Sequence, residues 1–348
     1  RTPNTLIAGA GPEQTRIHFT GRDEALYARG VRQQLLFTGD AWKAPEIPLA
    51  ADAPEFATTL AVSNADGLRP GDDIGIGWNI TDEFLDECGM RGVWQAFDGH
   101  WQPFFQRTVV AVDASQSPPR ITLDVPLRFP AKVRDHAGIA KAPRYLEGCG
   151  LAHLSLSDAH PDGERWSEVR FSLVTMAYAK DCWIDDVASF ASGADGDFQI
   201  QTNGFRIEYS KRITVQRCAL AHPRNRGPAG CGYLYEIIAG SEILVKDCTG
   251  TNGRHNFILN ADPLRTLAPH AAKEDGLLQH WNFGCSGCVF LRCVSAGSRT
   301  DCSAVECATC RSAKCCSYSA TGIVAPGPTA TSPSLKGYSP GPATDTHA

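Results

Sequence analysis

Arg254, His255 and Asn256 stand side by side in the segment GTNGRHNFILN, residues 250–260, directly before an apolar run. A guanidinium binds two oxygens of a carboxylate or sulfate at once, an imidazole exchanges protons near neutral pH, and an amide binds hydroxyl groups. This combination of groups suits proton transfer beside a bound anion. The tripeptide is therefore the centre of a candidate site.

The segment GCGYLYEII, residues 230–238, precedes this tripeptide and adds two phenols and a carboxylate. β-Elimination from a uronic acid needs a base at C5, a proton donor to the leaving oxygen and a cation that stabilises the enolate. The candidate catalytic residues are Arg254, His255, Tyr233, Tyr235 and His280. The structural alternative is that the tyrosines pack in a core and the histidines cap strand ends.

Five short segments with alternating apolar residues position these groups. Their starts lie 28, 31, 30 and 45 residues apart. Alternation predicts strands, and strands that recur at nearly constant spacing indicate stacked coils. The segments are LSLSDA from Leu154, CWIDDV from Cys182, ITVQRC from Ile213, ILVKDC from Ile243 and CVFLRC from Cys288. We therefore predict an all-β fold, a right-handed parallel β-helix.

This repeat resembles that of the pectate-lyase-like superfamily over about residues 150–297, and TLIAGAGPEQTRIHFTG near the start resembles its early coils. In the β-helical family of alginate lyases and chondroitinase B, an RH pair acts at the scissile bond. The resemblance implies that Arg254 donates a proton or stabilises a carboxylate, with His255 beside it. That family's NNGE…K segment, which would supply a lysine base and calcium ligands, is replaced here by GCGYLYEII. A tyrosine or His255 would then be the base.

The alignment predicts two columns along the coils. Small apolar residues should stack inside, the cysteines among them as free thiols; these are Val187, Cys218, Cys248 and Cys293. The residue before each should form a structural ladder of ion pairs, because neighbouring coils lie about 4.8 Å apart. These residues are Asp186, Arg217, Asp247 and Arg292.

Arginines recur six residues beyond the small position, which predicts a basic stripe suited to a polymer with repeated anions. The positions at this offset are Arg165, Gly193, Arg224, Arg254 and Arg299. The predicted substrate-binding residues are Arg224, Asn256, Arg165, Arg299 and Glu236. Solvated loop arginines are the alternative interpretation.

The chain divides into four parts by composition. Residues 1–54 are predicted to form early coils, residues 55–145 an inserted small β-module, and residues 146–297 the main coils. Residues 298–348 form an irregular tail rich in Cys, Ser and Pro.

The fourteen cysteines include a pattern with the spacing of a zinc ribbon, Cys285-x2-Cys288 followed by Cys307-x2-Cys310. Two observations weaken that interpretation. Cys288 begins a repeat strand and should face inward, and the second pair lies in the irregular tail. We predict no metal site; disulfides within residues 302–316 are the preferred alternative if the protein is exported.

A net charge of −5 with 20% charged residues gives no case for nucleic acid as a partner, and no run of apolar residues is long enough to span a membrane. The chain opens inside a strand-like pattern, which we interpret as a mature sequence with its export signal removed. A secreted, periplasmic or cell-surface location is expected. No cofactor is evident, and calcium stays open although no calcium motif is visible.

These features predict an enzyme that acts on an acidic, uronate-containing polysaccharide by β-elimination. One alternative is a glycoside hydrolase with paired carboxylates on adjacent coils, for which the candidates are Asp195, Asp197 and Glu208. The other alternative is a non-catalytic glycan-binding or surface solenoid, since a fold alone does not imply activity.

Overall fold

The computed structural model describes residues 2–21, 24–28, 30–41, 47–89, 91, 97–142, 144–163, 165–167, 169–193, 195–227, 230–260, 285–297 and 306–307. Its strands are β1 (Leu6–Ala8), β2 (Arg16–His18), β3 (Gln33–Thr38), β4 (Ile47–Pro48), β5 (Thr59–Ala61), β6 (Asp73–Ile80), β7 (Phe97–Asp113), β8 (Arg120–Leu123), β9 (Gly138–Lys141), β10 (Leu146–Glu147), β11 (Gly150–Ser157), β12 (Ser172–Ala177), β13 (Ala179–Lys180), β14 (Trp183–Ser189), β15 (Asn203–Glu208), β16 (Thr214–Gln216), β17 (Ala219–Ala221), β18 (Tyr233–Ile238), β19 (Leu244–Lys246), β20 (Thr249–Thr251), β21 (His255–Asn260), β22 (Val289–Leu291), β23 (Val294–Ala296) and β24 (Glu306–Cys307). The helices are α1 (Glu24–Ala28) and α2 (Asp82–Cys88), with a 3-10 turn at Val133–Asp135. Within these ranges no helix is long and apolar enough to cross a membrane.

Parallel pairing between successive coils builds two long sheets. The first has the order β22-β19-β16-β14-β17-β20-β23, and β11 pairs with β14, β1 and β2 at its early end. The second has the order β24-β21-β18-β15-β12-β3. Strands recurring in this way enclose one continuous apolar interior between the sheets. The prediction of an all-β parallel β-helix is confirmed.

The inward column of small residues stacks as predicted from Val187 onward. Cys218, Cys248 and Cys293 are 2%, 0% and 8% exposed and are free thiols. The first coil was predicted in the wrong register, because Leu154 pairs with Val187. The segment that begins at Cys149, and not the LSLSDA segment, therefore matches CWIDDV.

The residue before each member of this column turns the corner of a coil in the left-handed conformation. These residues are Asp186, Arg217, Asp247 and Arg292, with φ of 54°, 53°, 54° and 50°. Arg292 donates to both carboxylate oxygens of Asp247 at 2.6 and 2.7 Å. Asp186 instead faces His153 at 2.9 Å, and Arg217 contacts Asp185 at 2.6 Å. Of the predicted ladder, the Asp247–Arg292 ion pair is therefore formed, whereas Asp186 and Arg217 pair with residues outside the column.

A separate antiparallel sheet, with the order β4-β9-β6-β7-β8-β5, lies between the early and later coils in the sequence. It has its own core, in which the Trp78 ring lies 4.6 Å from Phe104 and 5.8 Å from Phe105. Its first strand, β4, pairs with β9. The boundary predicted after residue 54 consequently falls inside this sheet.

A buried lysine joins this β-module to the coils. The Lys211 side chain is 0% exposed, and its Nζ donates to Thr108 Oγ1 at 2.6 Å and to Asp124 Oδ2 at 3.0 Å. On the preceding coil Lys180 contacts Asp73 at 2.6 Å. On the following coil Gln106 Nε2 donates to the carbonyl of Ala239 at 2.8 Å. Polar bonds to successive coils therefore hold the module.

We expect Lys211→Met to lower the free energy of unfolding by about 3 kcal/mol, because removing one partner of this buried ion pair leaves the Asp124 carboxylate uncompensated. Urea denaturation monitored by circular dichroism measures this loss. Arg292→Met is the matched control, because its pair with Asp247 is exposed to solvent and should contribute far less to stability. Equal losses in the two variants would contradict the role of Lys211.

Candidate functional site

The first residues of β18 and β21 are paired on neighbouring coils of the second sheet. Tyr233 pairs with His255 across neighbouring coils, and their rings lie 4.8 Å apart at an interplanar angle of 68°. Tyr233 is 6% exposed, whereas His255 is partly exposed. We call Arg170, Tyr233, Glu236, Arg254 and His255 the Tyr–His cluster, because charge interactions connect these residues.

Asn203 positions the phenol by holding the backbone turn that leads into β18. Its Oδ1 accepts from the amides of Gly232 at 2.8 Å and Tyr233 at 3.1 Å, and its Nδ2 donates to the Gly230 carbonyl at 3.0 Å. Gly232 has φ of 80°, a conformation that glycine adopts without strain. The Gly232 carbonyl accepts from Arg254 N at 2.8 Å, so the turn also places the cation.

Arg170, which the sequence interpretation missed, reaches the cluster from the residues before β12. Its Nη2 lies 2.7 Å from Glu236 Oε1, and Glu236 is 1% exposed. Glu236 was predicted to bind substrate, but this depth makes it a partner that positions Arg170. Aligning the second-sheet strands of successive coils, which pairs Ser172 with Asn203, would have placed Arg170 just before a strand of this sheet.

Burial shifts the pKa values of the two rings in opposite directions. Burial, and then the charge of Glu236, raise the pKa of Tyr233 to about 12. Burial, and then the charge of Arg254, lower the pKa of His255 to about 4. At neutral pH the cluster therefore combines a neutral imidazole with a proton-bearing phenol. These are the protonation states that a base and an acid need before a reaction begins.

The Arg254 guanidinium lies at the border of this cluster and is partly exposed. Its Nη1 donates to the carbonyl of Gly227 at 2.6 Å, which fixes the direction of the side chain. A guanidinium held in this way keeps its positive charge beside the two rings of the cluster.

Tyr235 does not belong to the site, and its predicted catalytic role is wrong. The side chain is 2% exposed and lies inside the coils, stacked on Phe257 with ring centroids 4.7 Å apart. Its hydroxyl donates to the carbonyl of Thr249 at 3.0 Å. Tyr235 therefore belongs to the apolar interior, whereas Tyr233 lies outside that core cluster and contacts His255.

The predicted substrate contact of Asn256 is also wrong. Asn256 is 2% exposed, its Oδ1 accepts from Gly253 N at 2.9 Å, and its Nδ2 donates to Ser295 Oγ at 2.8 Å. These bonds tie together the turns of two coils, so the amide has a structural role.

The predicted arginine stripe is not formed in the described part of the chain. Arg224 is 6% exposed and donates to the carbonyls of Pro161 and Gly163 at 2.6 and 3.1 Å. Arg165 was selected by counting from the first coil, whose register was predicted wrongly. Arg165 lies on a loop, 5.9 Å from the Phe198 ring. The longer loop after β14 also breaks the register, because Ile200 pairs with Pro223.

The remaining predictions divide between the described residues and the rest of the chain. His280, Arg299, Cys310 and residues 302–305 and 308–316 lie outside the described residues. Cys285 and Cys288 are 1% and 0% exposed within the coil core, as expected for inward-facing thiols.

The carboxylates considered for hydrolysis are already paired with arginines or exposed. Asp195 forms an ion pair with Arg224, and Glu208 contacts Arg206 at 2.8 Å. Asp197 is exposed.

We expect folding stability to fall as the pH falls from about 6.5 to about 4, in part because of His255. In that window the unfolded chain binds a proton at this histidine, whereas the folded chain leaves the imidazole neutral. Urea denaturation at several pH values should give a shallower dependence for His255→Gln than for the unmodified protein. An unchanged slope would contradict the burial of a neutral imidazole.

Neither a protein-family model nor a curated protein sequence matches this chain. Among solved structures, it is similar to the Pseudomonas phage phi297 tailspike gp61, with 15% identity, a TM-score of 0.45, and coverage of 72% of this chain and 34% of that one. It is also similar to the tailspike gp49 from Pseudomonas phage LKA1, with 15% identity, a TM-score of 0.48, and coverage of 84% and 42%. A third similar structure is the Gp54 tailspike of Acinetobacter baumannii bacteriophage AP22 in complex with capsular saccharide, with 10% identity, a TM-score of 0.34, and coverage of 80% and 48%. The chain thus spans less than half of each of these proteins.

Proposed function

We propose that the Tyr–His cluster binds an acidic glycan and cleaves it by β-elimination at a uronate unit. The observation that carries this proposal is the ring contact of 4.8 Å between Tyr233 and His255. The contact brings a proton-bearing phenol and a neutral imidazole together beside two arginines. An acid, a base and a positive charge are the three groups that the reaction needs.

In the proposed reaction, the neutral His255 imidazole takes the proton from C5 of the uronate. The C5–H electron pair moves through the enolate to form the C4–C5 double bond, and the C4–O bond breaks with its own pair. Tyr233 gives its proton to the departing oxygen, and solvent returns the enzyme to its starting protonation states. Arg254 stabilises the carboxylate as negative charge develops on it.

The partial burial of the cluster supports this division of roles. Tyr233 is 6% exposed and its raised pKa keeps the phenol protonated at neutral pH, so it has a proton to donate and is not in the state of a base. His255 is more open to solvent and unprotonated. A substrate that covers the cluster would strengthen the pull of Arg254 by excluding water.

An acidic polysaccharide partner and a secreted or surface location agree with this proposal and remain predictions. In the described part of the chain no group of three His, Cys, Asp or Glu side chains has the arrangement of a metal site. Whether calcium takes part is therefore a matter for assays with and without the ion.

Two conservative variants test the proposed acid. We expect Tyr233→Phe to lower the rate of unsaturated-uronate formation by about 100-fold or more, because general acid catalysis is lost. Tyr235→Phe removes the same hydroxyl from a core tyrosine and should keep the activity. The measurement is the ultraviolet absorbance of the new double bond on alginate, pectate, chondroitin and hyaluronan. Equal activity of both variants would rule out Tyr233 as the acid.

Alanine variants of His255 and Arg254 separate the candidate functions on the same polymers. We expect both to abolish the absorbance change, since one removes the base and the other the stabilising cation. New reducing ends without the double bond would move the assignment to a hydrolase. Saturable binding of a polymer with neither product would make the face a glycan-binding surface without catalysis.

A further inference from the structure

A second concave site lies where the early coils enter the second sheet. It is a cavity of about 200 Å³. Three carboxyl groups, two amides, an imidazole and one aromatic ring surround it. The lining residues are Gly21, Glu24, Gln34, Asp158, His160, Asp162, Gly163, Phe171 and Gln201.

Asp158 forms the fixed wall of this cavity. It is 1% exposed, its Oδ1 accepts from Gln201 N at 2.7 Å, and its Oδ2 accepts from Gln34 Nε2 at 3.4 Å. Burial raises its pKa to about 6. The carboxyl group therefore stays in place while it changes between accepting and donating hydrogen bonds near that pH.

The opposite wall is a loop that Arg224 anchors by two hydrogen bonds. Arg224 donates to the carbonyls of Pro161 and Gly163, which keeps the loop against the coils. A Cβ on Gly163 would lie 2.2 Å from the Gln201 amide, so a larger residue here would displace the Gln201 side chain from the cavity wall. Arg224, predicted as a substrate contact, thus helps to shape a cavity that it does not line.

The chemistry of the lining favours an uncharged polyol. Carboxylates and amides form hydrogen bonds with vicinal hydroxyl groups, and the Phe171 ring offers an apolar surface to the C–H face of a sugar. No lysine or arginine occurs among the lining residues named above. A uronate would therefore meet like charge here, whereas the Tyr–His cluster presents arginines.

The cavity and the Tyr–His cluster lie along the same edge of the second sheet. Phe171 and Gln201 lead into β12 and β15, and Tyr233 and His255 begin β18 and β21. Because neighbouring parallel strands are about 4.8 Å apart, two to three coils separate the sites by roughly 10–15 Å. One glycan chain can span this distance.

We propose that this cavity binds one uncharged sugar ring of the glycan whose acidic unit lies at the Tyr–His cluster. The assignment of both units to one polymer rests on the proposed function, but sugar binding in the cavity does not. The favoured substrate is then a heteropolymer that carries neutral sugars close to its uronates.

Saturation-transfer NMR and calorimetry with the full chain test the cavity directly. The probes are D-glucose, D-galactose and N-acetyl-D-glucosamine, with D-glucuronate and D-glucosamine as charged counterparts. We expect at least one neutral sugar to bind with a Kd on the order of 1 mM, given about twelve heavy atoms at ordinary ligand efficiency. Glucuronate should bind at least about 10-fold more weakly because of like-charge repulsion.

Variants locate the binding. Gln34→Ala and the isosteric Asp158→Asn should each weaken the neutral sugar by about 5-fold or more, since each changes one hydrogen-bonding group. Asp113→Asn is the matched control, because its exposed carboxylate accepts from Ser115 in the β-module, remote from the cavity, and should leave the affinity unchanged. Circular dichroism verifies that each variant is folded.

Three results would overturn the proposal. They are the absence of saturable binding by all three neutral sugars, an affinity unaffected by both cavity variants, and a glucosamine affinity at least about 10-fold above that of every neutral sugar. The last result would assign the cavity to a cationic ligand. If the protein binds the monosaccharides but cleaves none of the polymers, only the lyase proposal is refuted.

Discussion

Parallel backbone pairing sets each coil directly over the one before it, and the arrangement of side chains along the coils depends on that register. The register stacks Cys218, Cys248 and Cys293 in the interior and repeats a left-handed corner beside them. It also brings Tyr233 over His255, although 22 residues separate them in sequence. The candidate site is therefore a product of stacking and not of any local motif.

Alternation and spacing were sufficient to predict the coils from Val187 to Cys293, because segments of equal length turn in the same way. The first coil was misplaced because LSLSDA satisfies the alternating pattern as well as the true segment does. Leu154 pairs with Val187, which is a fact of tertiary pairing that one segment alone does not contain. An equally good local pattern in two registers cannot be resolved without the neighbouring strand.

The candidate site was predicted less well than the fold because strict alternation along a strand does not determine the direction of every side chain. Tyr233 and Tyr235 are two residues apart, so ideal alternation would place both on one face of the sheet. In the structure only Tyr235 joins the apolar core, and Tyr233 contacts His255 instead. The arginine offset failed for a related reason, since the loops between coils vary in length. The position of Arg254 and His255 at the entry to a strand was predicted correctly, because β21 begins at His255, directly after Arg254.

The junction at Lys211 has a consequence for the order in which the chain folds. Its partner Asp73 lies 138 residues earlier in the sequence, so this contact closes a very long loop. During synthesis the antiparallel sheet leaves the ribosome well before the lysine that anchors it. The sheet has its own core and can form first, yet its docking must await the coil that carries Lys211. Folding from the amino terminus therefore forms the β-module before the coil that carries Lys211. That coil then completes the interface between the module and the coils.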